Sequence, residues 1–278
     1  ILTAFINDSG MKKRDLGKLQ QILQRSTTVN RKRQKRKKPT VLQSKSYSSG
    51  TSRLDQMINS SMFRFLNEKL YTCSSQEAMN LFSSDQQAFH TYHSGFRQQL
   101  NMWPDDPLDW IVTQLNNPMY KPPRKKAKLA DMGCGDARLA RILPRDSFKV
   151  YSFDLVAAND SVIACDMAHT PLKPSHVHYV VFCLSLMGTN CRDFIYEANR
   201  ILKPDGIVLI VDVASRFDGD LKTFTKKLKR YGFNALHSET TKDSYFVRLT
   251  FQKSTDCTST HIRELPPIKL NPCVYKKR

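Results

Sequence analysis

From Lys128 onward the chain alternates short, mostly apolar runs with stretches of helical periodicity. The runs Lys128 to Met132, Val150 to Phe153, Ser161 to Cys165, His178 to Leu184 and Ile207 to Val213 are bounded by glycine, proline or polar residues, which predicts five short buried strands. Between them, Ala137 to Leu143, Arg192 to Leu202 and Leu221 to Arg230 repeat apolar residues with the 3.6-residue period of a helix packed on one face. The second helix is expected to stop at Lys203-Pro204-Asp205-Gly206. Two further runs, Asn234 to Thr240 and Tyr245 to Gln252, flank a Lys242-Asp243 turn and predict a closing hairpin that adds an antiparallel strand. Strands alternating with helices give an α/β fold, a mainly parallel seven-stranded sheet covered on both faces. Upstream the pattern is helical only. Leu54, Met57, Ile58, Met62, Phe65, Leu66 and Leu70 mark one helix; others run through Ala78 to Phe82, from Phe89 to about Trp103, and from Leu108 to Leu115.

Three segments follow: a tail (1–50), a helical module (51–127) and the α/β domain (128–278). In the tail, Arg31 to Lys38 holds seven basic residues in eight and is followed by serine-rich sequence, so it is expected to be disordered when free. Such a run serves as a nuclear or nucleolar address, as a phosphate-binding arm, or simply as a solvated charge run. Charge sharpens the choice. The whole chain of 278 residues carries +19, and residues 1–128 hold 22 Lys and Arg against 9 Asp and Glu, compared with 22 against 16 in the remainder. A polyanion, nucleic acid before an acidic membrane, is the expected partner. There is no run of 18 apolar residues and no hydrophobic signal region, so neither a membrane span nor secretion is expected. The seven cysteines are odd in number and form no Cys-x-x-Cys pair, which argues for reduced thiols and against a zinc site. Because the chain begins at Ile1, it is expected to be a piece of a longer one.

The chemistry concentrates at Ala130-Asp131-Met132-Gly133-Cys134-Gly135-Asp136, a glycine turn between the first strand and its helix, with Asp154 ending the second strand 21 residues after Gly133. Glycine lets the backbone bend and approach a ligand closely. A carboxylate at that spacing accepts hydrogen bonds from ribose hydroxyls. A dinucleotide would require a third glycine where Arg138 stands, and its pyrophosphate would be repelled by Asp131 and Asp136. S-adenosylmethionine (SAM), which carries a sulfonium and an ammonium, suits these acids better. Ligands in such sheets lie beyond the carboxyl ends of the strands, which adds Asp166 for the adenine amino group and Met167 or Cys183 against the ring. After the fourth strand comes Cys183-Leu184-Ser185-Leu186-Met187-Gly188-Thr189-Asn190. The Asn/Asp-Pro-Pro-aromatic turn that accepts the hydrogens of an exocyclic amine is absent. A ring nitrogen such as adenine N1 has a free lone pair and needs positioning rather than deprotonation. Asp136, which could stabilise a cationic product, and Asn190 are the catalytic candidates. Aromatic residues of the helical module, Phe63, Phe65 and Trp110, are candidates for stacking bases, with core packing as the plainer reading.

Several blocks together resemble the nucleomethylin family of nucleolar ribosomal RNA-processing methyltransferases. They are Gly133-Cys134-Gly135-Asp136, Phe153-Asp154-Leu155, Cys165-Asp166-Met167, the segment Val181 to Asn190, and Glu197 to Pro204. The likeness extends from Leu66 to Thr72, through Tyr92 to Arg97, to Pro272-Cys273-Val274-Tyr275-Lys276. It implies a class I SAM-dependent methyltransferase fold (Rossmann-like) and formation of N1-methyladenosine in large-subunit ribosomal RNA by a monomer bound to the pre-ribosome in the nucleolus. It also implies that His93, Gly133, Asp154, Asp166, Met167 and Cys183 contact the cofactor. Two other classes remain open: a SAM-binding chromatin module that silences ribosomal DNA by recognising modified histone, and a protein or small-molecule methyltransferase.

Overall fold

A computed structural model describes residues 53–122, 126–217, 220–257 and 264–273. The tail and its basic run lie outside the described residues. The chain divides into two units, residues 1–62 and 63–278; of the first, only the beginning of helix α1 is described.

Four helices come first: α1 (Arg53–Thr72), α2 (Ser75–Ser84), α3 (Gln86–Leu100) and α4 (Pro107–Leu115). Their starts are written locally. Ser74 accepts from the Glu77 amide while the Glu77 carboxylate accepts from Ser74 N, a reciprocal cap on α2. Asp85 caps α3, and Asp106 caps α4 ahead of Pro107, whose missing N–H costs nothing in the first turn. Where α3 crosses α1, a Cβ on Gly95 would stand 2.6 Å from Phe63, so the two helices meet at a distance only glycine allows.

The sheet follows: β1 (Ala127–Met132), α5 (Arg138–Ile142), β2 (Phe148–Asp154), β3 (Val162–Ala164), β4 (Val177–Cys183), α6 (Cys191–Ile201), β5 (Leu202–Val213), α7 (Leu221–Arg230), β6 (Phe233–Thr240) and β7 (Phe246–Lys253). Its order is β3-β2-β1-β4-β5-β7-β6. Strands β1 to β5 pair in parallel, and β7 runs antiparallel between β5 and β6. Successive side chains of a strand point to opposite faces, and the core divides accordingly. Val180 and Phe182 of β4 join Phe194 and Ile195 of α6 and Phe224 and Leu228 of α7, whereas Tyr179 and Val181 join Trp110 and Ile111 of α4 and Leu139 of α5. The strand order reverses between β1 and β4, and at such a switch point a crevice opens at the carboxyl ends.

Two expectations change. The predicted stop at residues 203–206 does not separate helix from strand: Leu202 already pairs with Val177, residues 203–206 bulge out with Asp205 at φ 60°, and Ile207 resumes the ladder opposite Tyr179. Phe63 and Trp110 do not form a surface for bases. Both are buried in the core.

Residues 264–273 close the structure as a strap. Leu265 and Ile268 pack on the α6–α7 face, and Cys273 packs on the other. Asn67 of α1 donates to the Cys273 carbonyl at 2.9 Å, and the fully buried Arg216 donates to the carbonyls of Asn271 (2.9 Å) and Leu186 (2.5 Å) while paired with Asp212. The Arg216 guanidinium also lies over the Tyr71 ring.

Candidate active site

The turn after β1 is held by its own backbone. Gly133 N and Cys134 N both donate to the Phe153 carbonyl (2.9 Å each), and Gly135 N donates to Asp154 Oδ2 at 2.7 Å. Gly133 and Gly135 sit at φ 78° and 60°, where a side chain is strained. A Cβ on Gly133 would also lie 2.4 Å from the Ser185 Cβ. With these amides engaged internally, the turn offers no nest of free N–H groups for a pyrophosphate. It is a close-approach surface rather than an anion cradle, which separates SAM from a dinucleotide more sharply than the missing third glycine does.

Around this turn lies a cavity of 570 Å³, within the range of small-molecule sites, lined by the carboxyl ends of β1, β2 and β4, the residues after β3, α2, α3 and the 101–108 turn. Six aspartates line it against two arginines, Arg97 and Arg138, and Arg138 is paired with Asp106. The charge balance therefore suits a cationic ligand. Asp154 Oδ2 takes the Gly135 amide and Oδ1 the Leu155 amide (2.8 Å), which leaves a lone pair on each oxygen, enough for two ribose hydroxyls. Burial pushes the Asp154 carboxyl up to about 6 against the pull of those two amides. Asp131, buried on β1, is pushed up to about 7 by burial and then by the Asp154 charge. An arriving cation would favour ionisation of both.

Of the expected cofactor residues, His93, Gly133, Asp154, Asp166, Met167 and Cys183 all line this one cavity. His93 reaches it from α3, its ring 4.2 Å from that of Phe89, and burial followed by the charge of Arg97 lowers it to about 4, so the imidazole is neutral near pH 7. Asp166 Oδ1 accepts from Ala168 N (2.9 Å) and Oδ2 from Ser75 Oγ (2.6 Å). Burial raises the Cys183 thiol, which stays protonated and inert. The two catalytic candidates part company. Asp136 lines the cavity, paired with Arg141 at 3.0 Å. Asn190 lies outside the lining: its carboxamide accepts from Ser75 N (3.0 Å) and donates to Ser75 Oγ (2.9 Å), so it braces the start of α2 and, through Ser75, Asp166. Sequence reasoning missed Ser75 and the unpartnered hydroxyl of Ser185. Ser75 stands within the Ser-x-x-Glu start of α2, a signal for the helix but not for a contact 91 residues away.

The seven-stranded order with its antiparallel β7, together with a self-satisfied glycine turn, a strand-end acid with two free lone pairs and an acid-lined cavity, defines a class I methyltransferase that uses SAM. The family described as "Hypothetical methyltransferase" matches residues 49–278, and the chain belongs to it. A ribosomal RNA-processing protein 8 of Arabidopsis thaliana is 42% identical over 231 residues, covering 81% of this chain and 77% of that protein. A Rattus norvegicus protein of the same name is 42% identical over 229 residues, covering 82% of this chain and 48% of its own length. The chain thus spans about half the length of the rat relative. A Schizosaccharomyces pombe protein named 25S rRNA (adenine(645)-N(1))-methyltransferase is 38% identical over 231 residues, 81% of this chain and 71% of that protein.

Proposed function

We propose that the chain methylates N1 of an adenine in large-subunit ribosomal RNA during ribosome biogenesis, with SAM as donor. The observation that carries this reading is the similarity, over 81% of the chain, to a relative named for that reaction. The site is consistent with it. When bound, SAM supplies an electrophilic methyl group on a sulfonium. The chain's own residues have less to do than in an amine methyltransferase, because N1 brings a lone pair and no proton has to leave. Orientation and exclusion of water are then the main contributions. We assign Asp154 to the ribose hydroxyls, Asp166 to the adenine amino group, Met167 and Cys183 to the ring faces, and His93 and Gly133 to the remaining wall. Asp136 is positioned to offset the positive charge of the methylated base. Asn190 becomes a positioning residue acting through Ser75. The basic residues of the tail would add sequence-independent attraction to RNA and direct the protein to the nucleolus.

Purified protein, labelled SAM and ribosomal RNA fragments provide the test, read by primer extension because a methyl on N1 halts reverse transcriptase. A stop at an adenine that depends on SAM is expected. Label on an amine, a ribose hydroxyl or a protein, with N1 unmodified, would overturn the assignment; label on protein would favour the silencing or protein-methylating alternatives.

A further inference from the structure

The cofactor residues account for only part of the cavity. Past Gly133 it continues between the turn after β4 and the wall formed by the end of α3 and residues 101–107. Ser185 stands at the junction. It is 9% exposed and lines the cavity, yet its Oγ has no hydrogen-bond partner among the described residues. An unpaired buried hydroxyl costs about 1 to 3 kcal/mol, so its partner is expected to come from a ligand. The turn that carries it is fixed from both sides: Leu184 holds φ 59° with its amide on the Val211 carbonyl (2.8 Å), and Arg216 holds the Leu186 carbonyl. A non-glycine residue in the left-handed region at such a place is a mark of functional strain.

The facing wall is aromatic. Trp103 is partly exposed in the cavity, its ring at 83° to Phe96 (5.7 Å) and at 85° to Phe246 (5.4 Å). An indole plane locked by two perpendicular contacts is a ready stacking platform for a base. Arg97, exposed and also lining the cavity, makes no ion pair among the described residues.

We propose that this second compartment receives the unpaired target adenine, stacked on Trp103, with Ser185 Oγ accepting a hydrogen bond from its N6 amino group and Arg97 meeting a flanking phosphate. The inference rests on the RNA-adenine reading above. N6 and N1 are neighbours on the Watson–Crick edge, so a bond at N6 turns the N1 lone pair toward the cofactor side of the cavity. The lone pair forms the bond to the methyl carbon as the carbon–sulfur bond breaks and its electrons stay on sulfur. No proton is released, and the positive charge moves to the base. A hydroxyl that orients without removing a proton matches this balance, which an amine-accepting carboxylate would not. Extruding the adenine from a duplex costs a few kcal/mol, which stacking on one aromatic face offsets in part.

The test uses the full chain and the RNA fragment whose methylated adenine has been mapped. Ser185→Ala should leave the SAM dissociation constant within twofold and slow single-turnover methylation at least tenfold. Replacing the target adenine by a purine without the 6-amino group should slow the unaltered protein to a similar degree and slow Ser185→Ala no further. Trp103→Ala should raise KM for RNA about tenfold, and Trp103→Phe should recover most of it; should Trp103→Ala fail to fold, Trp103→Phe and Ser185→Ala still decide. A Ser185→Ala protein that loses SAM affinity in parallel with rate assigns the hydroxyl to the cofactor and overturns the proposal, as does an unchanged rate. If the unaltered protein methylates no adenine N1, the functional reading itself fails and this one with it. N1 methylation that is indifferent to Ser185 and Trp103 defeats this one alone.

Discussion

The two halves of the cavity are built by different means. On the cofactor side, a backbone turn satisfies its own amides and acids stand at strand ends, so Gly133, Gly135, Asp154 and Asp166 are placed by the sheet itself. On the far side, Phe96, Trp103 and Ser185 come from α3, the turn after it and the turn after β4, and they hold their positions through ring packing and through bonds spanning much of the chain. A site fixed by main chain is rigid and unforgiving of single changes. One fixed by packed side chains tolerates conservative exchange and is where related enzymes can diverge in substrate.

The sharpest way to break this contrast is Gly133→Arg. At φ 78°, with a Cβ forced to 2.4 Å from that of Ser185, it should abolish SAM binding in calorimetry while circular dichroism reports an intact fold; measurable binding would mean that the turn is more pliable than described. Asp154→Ala comes next, with SAM affinity lower by about 1 to 3 kcal/mol as two ribose hydroxyls lose a charged acceptor. An unchanged dissociation constant would remove Asp154 from the ribose role.

The same acids give a pH signature. Asp131 and Asp154 are raised above their unfolded values, to about 7 and about 6. Their contribution to stability is therefore present below the ordinary carboxylate range and lost as pH rises through 6 to 7. A cationic ligand favours the ionised forms, so SAM affinity should rise across that window, with proton release visible in buffer-dependent binding enthalpies. Asp131→Asn should flatten the stability loss in thermal melting. A SAM affinity independent of pH between 5 and 8 would refute the link.

Asn190→Ala should have a smaller effect, about 1 kcal/mol of stability and a few-fold in SAM affinity, because Ser75 loses an acceptor and Asp166 its brace. If instead catalysis collapses with SAM affinity unchanged, Asn190 belongs to the chemistry after all. Deleting residues 1–50 should matter least to the cavity: SAM binding stays the same, and only the salt dependence of RNA binding flattens. An unchanged salt slope would reduce the tail to an address.

Strand and helix positions were legible from apolar periodicity, and the ends of β1 and β4 fell within a residue of expectation, because each run is short, buried and punctuated. The bulge at 203–206 was not. A Pro-Asp-Gly turn looks the same whether it ends an element or interrupts a ladder, and only pairing with Val177 decides. The glycine turn and its acids were readable because their spacing reflects one strand-turn-helix unit and the next strand. Ser75 and Ser185 were not, since their roles depend on partners 91 residues away and on a cavity that exists only after folding. Phe63 and Trp110 show the converse: their helical spacing fits a core as well as a surface, and burial chose the core.

Arg216 gives the molecule an order of events in time. Asn67 and Cys273 are 206 residues apart, and the carbonyl of Asn271 is one of the acceptors that fix the Arg216 guanidinium. During synthesis α1 leaves the ribosome first, and the carbonyls it and Arg216 await emerge some two hundred residues later. Until then the turn carrying Ser185 is braced by an arginine that lacks part of its own anchorage. Contacts closing so long a loop form late in folding. Readiness to act on RNA is thus expected to arrive near the end of translation, so that a chain still being made among the RNAs of its own ribosome would not yet be a working enzyme; nascent chains stalled before residue 264 should show weaker RNA binding than chains released after Cys273.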